Sequence, residues 1–252
     1  MHVLVPGGRR ARHHQRLHRR RLARLVRVRV EQLPPAAVGP PASLAVANCD
    51  AVSAALALTY AAPSGAPPPA ILNFADAFRR GGGYLTGASA QEEDLCRVVP
   101  DLYPALCTLP YPLDPAVAPA VLAHIARDGG TLAITAPPVP VVVVTAAALD
   151  MRPPADGSPL PSPAAYDQDM RRRVRAVLFA ALHMGCRDLV LGAWGCGVFA
   201  NDARKVAAIF AAVLRSAEWR HRFGSVVFAI PRRGRGTIAS IFSTALDRLT
   251  RP

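Results

Sequence analysis

The sequence predicts an α/β sandwich, a sheet flanked by helices, on three observations. Short β-branched runs alternate with helical patterns of about ten to eighteen residues, the order that builds sheets covered by helices. Two glycine-rich loops, Gly81–Gly83 and Gly192–Gly197, each follow an expected strand and precede an expected helix. Half of the 252 residues are hydrophobic, at 51%, which supplies a core for one sizeable domain. That domain is expected over residues 43–252, behind a basic extension at 1–42.

The extension is set apart by charge. Residues 1–30 hold ten Arg and no Asp or Glu, against a net charge of +13 for the whole chain. The rest is then close to balanced, at about +3. Residues 9–29 can form a basic helix, and the proline-rich stretch 34–41 reads as a linker. Such a leader can contact a polyanion, nucleic acid included. It can equally be a solvated tail or an organelle transit segment, although it is poor in Ser.

From residue 42 the elements follow in order. Ala42–Ala47 reads as a short strand and Asp50–Tyr60 as a helix, with Val52, Leu56 and Tyr60 on one stripe. Ala70–Phe74 is a short buried strand. A helix opens near Ala90, where Ser89 and Glu92 have the spacing of a capping box, and Pro100 limits it to about Val99. Residues 109–130 read as loop, with a helix around Ala116–Ile125. Thr131–Ala136 and Val141–Thr145 read as two strands by β-branched content. After the proline-rich loop 152–163, Asp167–Met184 is helical and Gly185 ends it. Asp188–Leu191 is a strand, Asn201 caps a helix reaching Arg215, Ser225–Ile230 is a strand, and Thr237–Leu249 closes the chain as a helix.

Composition narrows the chemistry. The five cysteines form no CxxC pair and no secretory apolar core opens the chain, which favours an intracellular compartment, cytoplasmic or nuclear. His13-His14 is the one tight His pair, and it lies in the leader, so no metal site and no cofactor is expected. No apolar stretch reaches about 18 residues free of charge and proline, so no membrane span is expected.

The two loops carry the candidate site. Gly81-Gly82-Gly83 leaves backbone N–H groups uncovered, suited to close approach of a phosphate or ribose, or simply a flexible turn. Gln91-Glu92-Glu93 follows at a helix start, where the helix dipole favours anions. The acids can equally do no more than cap the helix and satisfy that dipole. Adjacent carboxylates also repel, which raises the pKa of one, and a carboxylic acid retained near neutral pH is what glycosidic cleavage needs. The second loop, Leu191-Gly192-Ala193-Trp194-Gly195-Cys196-Gly197-Val198-Phe199, is an anion cradle ahead of a helix. No Gly-Lys-Ser/Thr follows, which excludes a Walker loop, and the glycine spacing is not a clean GxGxxG. Phe199 can pack on a sugar or in the core, Cys196 lacks any neighbour in sequence that would activate it, and Asn73 can orient a hydroxyl or end a strand.

Asn73-Phe74-Ala75, Gly81-Gly82-Gly83, seven residues and then Gln91-Glu92-Glu93 resemble the signature of the poly(ADP-ribose) glycohydrolases. Asp94-Leu95-Cys96-Arg97, Leu102-Tyr103-Pro104, Ile134-Thr135-Ala136-Pro137 and the second loop resemble the bacterial-type branch, over roughly residues 43–232. The resemblance implies a macrodomain-like three-layer α/β/α sandwich with a mixed sheet that binds ADP-ribose in a cleft. It implies exo-acting hydrolysis of ribose–ribose O-glycosidic bonds in poly(ADP-ribose), releasing ADP-ribose from chain ends, with poly(ADP-ribosyl)ated proteins as partners and no metal. By the same resemblance Glu93 is the general acid and base, Glu92 and Asn73 hold ribose hydroxyls, and Gln91 belongs to the binding set. Gly81, Gly82, Gly83, Gly195, Cys196, Gly197 and Val198 cradle the diphosphate, and Phe199 packs on the terminal ribose. An ADP-ribose reader without turnover and a mono-ADP-ribosyl hydrolase are the alternatives. Three departures stand out: Arg79-Arg80 where relatives usually have Asn-Pro, Asp76 as an extra charge near the acids, and Ala200 in place of a usual Gly.

Overall fold

A computed structural model of the chain describes residues 33, 39–232 and 237–247. The expected basic helix at 9–29 lies outside the described residues, as does most of the linker at 34–41.

Six strands form one mixed sheet in the order β1-β6-β5-β2-β4-β3. They are β1 (Ser43–Ala47), β2 (Ala70–Phe74), β3 (Ala120–Arg127), β4 (Ile134–Ala146), β5 (Asp188–Leu191) and β6 (Ser225–Ala229). All neighbours pair in parallel except β3, which runs antiparallel to β4. The helices are α1 (Ala51–Ala61), α2 (Gln91–Val98), α3 (Leu102–Leu106), α4 (Pro163–His183), α5 (Ala203–Arg215) and α6 (Thr237–Asp247).

The period-two alternation of a strand divides the core into two layers. Val142 and Val144 of β4 join Leu72, Leu189 and Phe228 against Phe179 of α4, Phe210 of α5 and Phe242 of α6. Val141 and Val143 face the opposite side with Ile71 and Val190, against Leu56 of α1, Leu95 of α2 and Leu102 of α3. A three-layer α/β/α sandwich results, as expected.

Local signals set most boundaries. Asp50 caps α1 by accepting from the Val52 and Ser53 N–H groups, each at 2.9 Å. Ser162 caps α4 ahead of Pro163, and Gly185 ends that helix at φ 79°.

Four expectations fail on local detail. The helix expected at Ala116–Ile125 is strand β3: Val121, Ala123 and Ile125 are buried and alternate with the more exposed Leu122 and His124. Pairing with β4 outweighs the helix propensity of this Ala-rich stretch. The two strands expected at Thr131–Ala136 and Val141–Thr145 are one strand, β4, running from Ile134 to Ala146. Its Pro137, Pro138 and Pro140 fall where β4 pairs with β3 alone, because β2 begins opposite Val142, so the missing N–H groups cost no second ladder. No capping box forms at α2: its N-cap is Ala90, and the Glu92 carboxylate is held elsewhere. The cap of α5 is Asp202, which accepts from Arg204 N–H at 2.8 Å, and not Asn201.

Candidate active site

The acids are aimed by Gln91. Its side-chain oxygen accepts from Phe74 N–H and its amide donates to the Leu72 carbonyl, both at 2.8 Å. Gln91 thus acts as an extra strand rung that fixes the start of α2 on the carboxyl end of β2. The side chain expected in the binding set is a strut between β2 and α2, and the residue also lines the cleft beyond the carboxyl end of β2.

Glu92 points inward and is 2% exposed. Its Oε1 accepts from Asn73 Nδ2 at 3.1 Å and its Oε2 from Asp76 N–H at 2.9 Å. Burial pushes its carboxyl up to about 7, and the charges of Glu93 and Asp76 add to this, while the two hydrogen bonds pull it back. Asn73 is wholly buried, and its Nδ2 also lies 3.5 Å from Thr145 Oγ1. Its donor group is thus on Glu92, whereas the resemblance implied a ribose hydroxyl as its partner. Glu93 is the more open of the pair at 7%; its Oε1 accepts from Gly83 N–H at 2.8 Å, and among the described residues its Oε2 makes no hydrogen bond.

The first loop is pressed onto these acids. Gly81 and Gly82 adopt φ of 69° and 56°. A Cβ at Gly82 would sit 2.5 Å from Glu93 Oε1 and 3.1 Å from Glu92 Oε2. One at Gly83 would meet Ala88 Cβ at 2.6 Å, and one at Gly81 the Tyr103 ring at 2.8 Å. Asp76, expected as a stray charge, organises the loop: Oδ1 accepts from the Phe78 and Arg79 N–H groups at 2.8 and 3.0 Å. Arg80 lies over the Tyr111 ring, 4.9 Å from its centroid, with Nη2 3.4 Å from the Leu109 carbonyl.

The second loop is tied by Asn201. Its Nδ2 donates to the carbonyls of Leu149, Gly195 and Phe199 at 2.7, 3.0 and 3.3 Å, and its Oδ1 accepts from Tyr166 OH at 2.8 Å. Gly195, at φ 73°, has no room for a Cβ, which would lie 2.6 Å from that Nδ2. Gly197 faces open space. Among the described residues the N–H groups of Gly195, Gly197, Val198 and Phe199 donate to no protein acceptor. Ala200 adopts φ 54°, the strained conformation that its replacement of Gly leads one to expect. Phe199 is half-buried, with the Arg152 guanidinium 5.5 Å above its ring. Burial, with the charge of Asp202 adding, pushes the Cys196 thiol up to about 12, which leaves it a poor nucleophile.

A cleft of about 630 Å³ lies beyond the carboxyl ends of β2, β5 and β6, marked by Phe74, Leu191 and Ala229. This is within the range of small-molecule sites. Gln91, Gly195, Gly197, Val198 and Phe199 line it. Glu92, Glu93, Cys196 and the three glycines of the first loop are not among its lining residues, although Gln91, the residue next to the acids, is, and Asn73 is wholly buried. Its one lining cation among the described residues, Arg97, is paired with Asp94 at 2.6 Å. An anion in this cleft would be met by backbone N–H groups. The described residues contain no cluster of three or more His, Cys, Asp or Glu placed to hold a metal, and no helix long and apolar enough to cross a membrane.

Sequence reasoning missed Asn201 as the knot of the second loop, with Tyr166 as its partner. Asp202, an equally good cap one residue later, was the available clue. Nothing in the pattern marks Arg152 as a neighbour of Phe199.

A family model described as the microbial-type PARG catalytic domain matches residues 9–115, a span that starts within the basic segment and includes the first loop and both acids. Poly(ADP-ribose) glycohydrolase from Thermomonospora curvata is 34% identical with a TM-score of 0.80, over 93% of this chain and 89% of that one. The T. curvata protein bound to the inhibitor ADP-HPD is 34% identical with a TM-score of 0.72, over 81% and 78%. The poly(ADP-ribose) glycohydrolase of Deinococcus radiodurans in complex with ADP-ribose is 32% identical with a TM-score of 0.71, over 84% and 87%. Among curated protein sequences none matches significantly.

Proposed function

The chain belongs to the microbial-type poly(ADP-ribose) glycohydrolase family, and from that membership we propose that it hydrolyses the ribose–ribose O-glycosidic bonds of poly(ADP-ribose), releasing ADP-ribose from the ends of chains carried by modified proteins. The observation that carries the assignment of roles is the difference between the two acids. Glu92 titrates near neutrality, yet both of its oxygens are taken by Asn73 and the Asp76 N–H. Glu93 has one oxygen fixed by Gly83 N–H and the other without a protein partner. We rank this geometry above the titration: a group must reach the bond before its proton affinity matters.

Glu93 then protonates the departing ribose oxygen as the glycosidic C–O bond breaks, the bonding pair leaving with that oxygen. The ribosyl cation left behind is attacked by water, whose proton returns to Glu93. Glu92 positions the loop through Asp76 and keeps the first turn of α2 in place. The four uncommitted N–H groups at 195 and 197–199 suit the diphosphate, and open space at Gly197 leaves room for its approach. Phe199 offers a ring face to the terminal ribose.

Glu93→Gln keeps the size and the acceptor for Gly83 N–H but removes the proton. Release of ADP-ribose from polymer is expected to fall at least about a hundredfold, the range of general acid catalysis, while calorimetric binding of ADP-ribose persists. Full turnover in this variant would remove Glu93 from the role. Binding without release by the unaltered protein would make it a reader.

A further inference from the structure

Substrate is a polymer, so more than one ADP-ribose unit has to be accommodated around the acids. The first loop, outside the cleft lining, presents an unusual pair. Phe78 is 76% exposed, and the Arg79 side chain is 78% exposed with a single carboxylate, Asp76, 3.7 Å away. Neither residue lines the cleft. Both lie within the turn that covers the acids: Asp76 N–H donates to Glu92, and Gly82, pressed on Glu93, donates its N–H to the Arg79 carbonyl at 3.1 Å. The turn is braced, since Asp76 Oδ1 holds the Phe78 and Arg79 N–H groups and Arg80 is anchored over Tyr111. Arg80 is thus a strut, and Arg79 is the cation left facing outward.

We propose that Phe78 and Arg79 form a subsite for the next ADP-ribose unit of the polymer, the one on the leaving-group side of the scissile bond. Phe78 stacks on its adenine and Arg79 pairs with its diphosphate. A solvent-facing ring next in sequence to an exposed guanidinium, here held only by a 3.7 Å pair with Asp76, is the combination that holds a base and its phosphates. Charge complementarity supports this occupant, because the one cation lining the cleft among the described residues, Arg97, is paired with Asp94, whereas Arg79 stands exposed outside it. The proposal rests on the glycohydrolase reading given above.

Two substrates test it: long poly(ADP-ribose), and ADP-ribose whose terminal ribose carries only an aryl alcohol as leaving group. The second uses the same cleft and the same acid but has no next unit. For Phe78→Ala, KM on polymer is expected to rise roughly fivefold to a hundredfold, as loss of one base–aromatic stack implies. Arg79→Ala should raise it as well and make its dependence on log salt concentration shallower by about one, as for a lost phosphate contact. Both variants should process the aryl substrate with unchanged kcat and KM, and Phe78→Tyr and Arg79→Lys should restore most of the polymer affinity. Unchanged KM on polymer would overturn the subsite. Equal loss on both substrates would overturn it too, since the loop would then only have shifted over the acids. If the unaltered protein cleaved neither substrate, the glycohydrolase reading itself would fail and the subsite with it.

Discussion

Gly82→Ala is the sharpest test of how the site is built. Gly82 has φ 56°, where a residue with a Cβ pays roughly 1–2 kcal/mol. The new methyl would stand 2.5 Å from Glu93 Oε1 and 3.1 Å from Glu92 Oε2. Ordinary contact between such atoms needs about 3.5 Å, so the Glu93 carboxylate must retreat by about 1 Å. That movement breaks its 2.8 Å bond to Gly83 N–H and turns the free oxygen away from the bond it protonates. A displacement of this size costs about a hundredfold in rate. The expected result is a melting temperature lower by about 2–8 °C, from the backbone term alone, and kcat on polymer lower by about two orders of magnitude. Gly197→Ala is the matched control, because its Cβ would meet nothing within 4 Å and its φ is not left-handed. It should leave melting unchanged and weaken only ADP-ribose binding. Normal kcat for Gly82→Ala would refute the claim that the first loop sets the position of the acid.

Three further outcomes can be checked by equilibrium unfolding. Asn201→Ala deprives the carbonyls of Leu149, Gly195 and Phe199 of a shared donor and Tyr166 OH of its acceptor; a loss of about 2–4 kcal/mol is expected with weaker ADP-ribose binding, and a stable variant with intact binding would show that the knot is dispensable. Ala200→Gly relieves the strain at φ 54° at some cost in chain entropy; a net gain of up to about 1 kcal/mol is expected, and a lower midpoint in urea would contradict it. For Glu92 the folded pKa is raised from 4.5 to about 7, so the folded state holds a proton that the unfolded chain releases between those values. Its contribution is therefore complete below about pH 4.5 and falls as pH rises to about 7, by the order of 3 kcal/mol; Glu92→Gln should flatten that decline between pH 5 and pH 8, and an unaltered decline would place the titration on another group.

The fold was legible where one physical signal dominated. Ala70–Phe74 and Asp188–Leu191 are short apolar runs with no competing pattern, and both strands have those bounds. Asp50 and Gly185 mark helix ends through neighbouring residues only; the Ser162 cap ahead of Pro163 is as local, but the prolines before it read as loop, and α4 starts four residues before the expected Asp167. Legibility ended where the deciding partner was distant in sequence. The Ala120–Arg127 segment has helix-friendly composition and becomes a strand because β4 lies beside it. Glu92 matches a capping box, but Asn73 and the Asp76 N–H compete for the same carboxylate and win it.

The same contrast explains why spacing located the acids while their division of labour came from the family resemblance alone. The seven residues between Gly83 and Gln91 are enough for the turn Tyr84–Thr86, the left-handed Gly87 and the short run into Ala90, which bring the chain back under its own glycines. Any sequence with this spacing and a Gln to grip β2 would deliver two carboxylates there. Which of them keeps a free oxygen depends on contacts no pattern encodes: an asparagine at the end of β2, an aspartate N–H beyond it, and the absence of a Cβ at Gly82. The glycine needed for a ligand and the glycine needed for the acid are thus different residues. Gly197 leaves space that the protein does not use, whereas Gly82 gives up its side chain to the protein's own Glu93. Three identical residues in a row look like a single phosphate cradle in sequence, but in the fold at least one of them is a seat for a carboxylate.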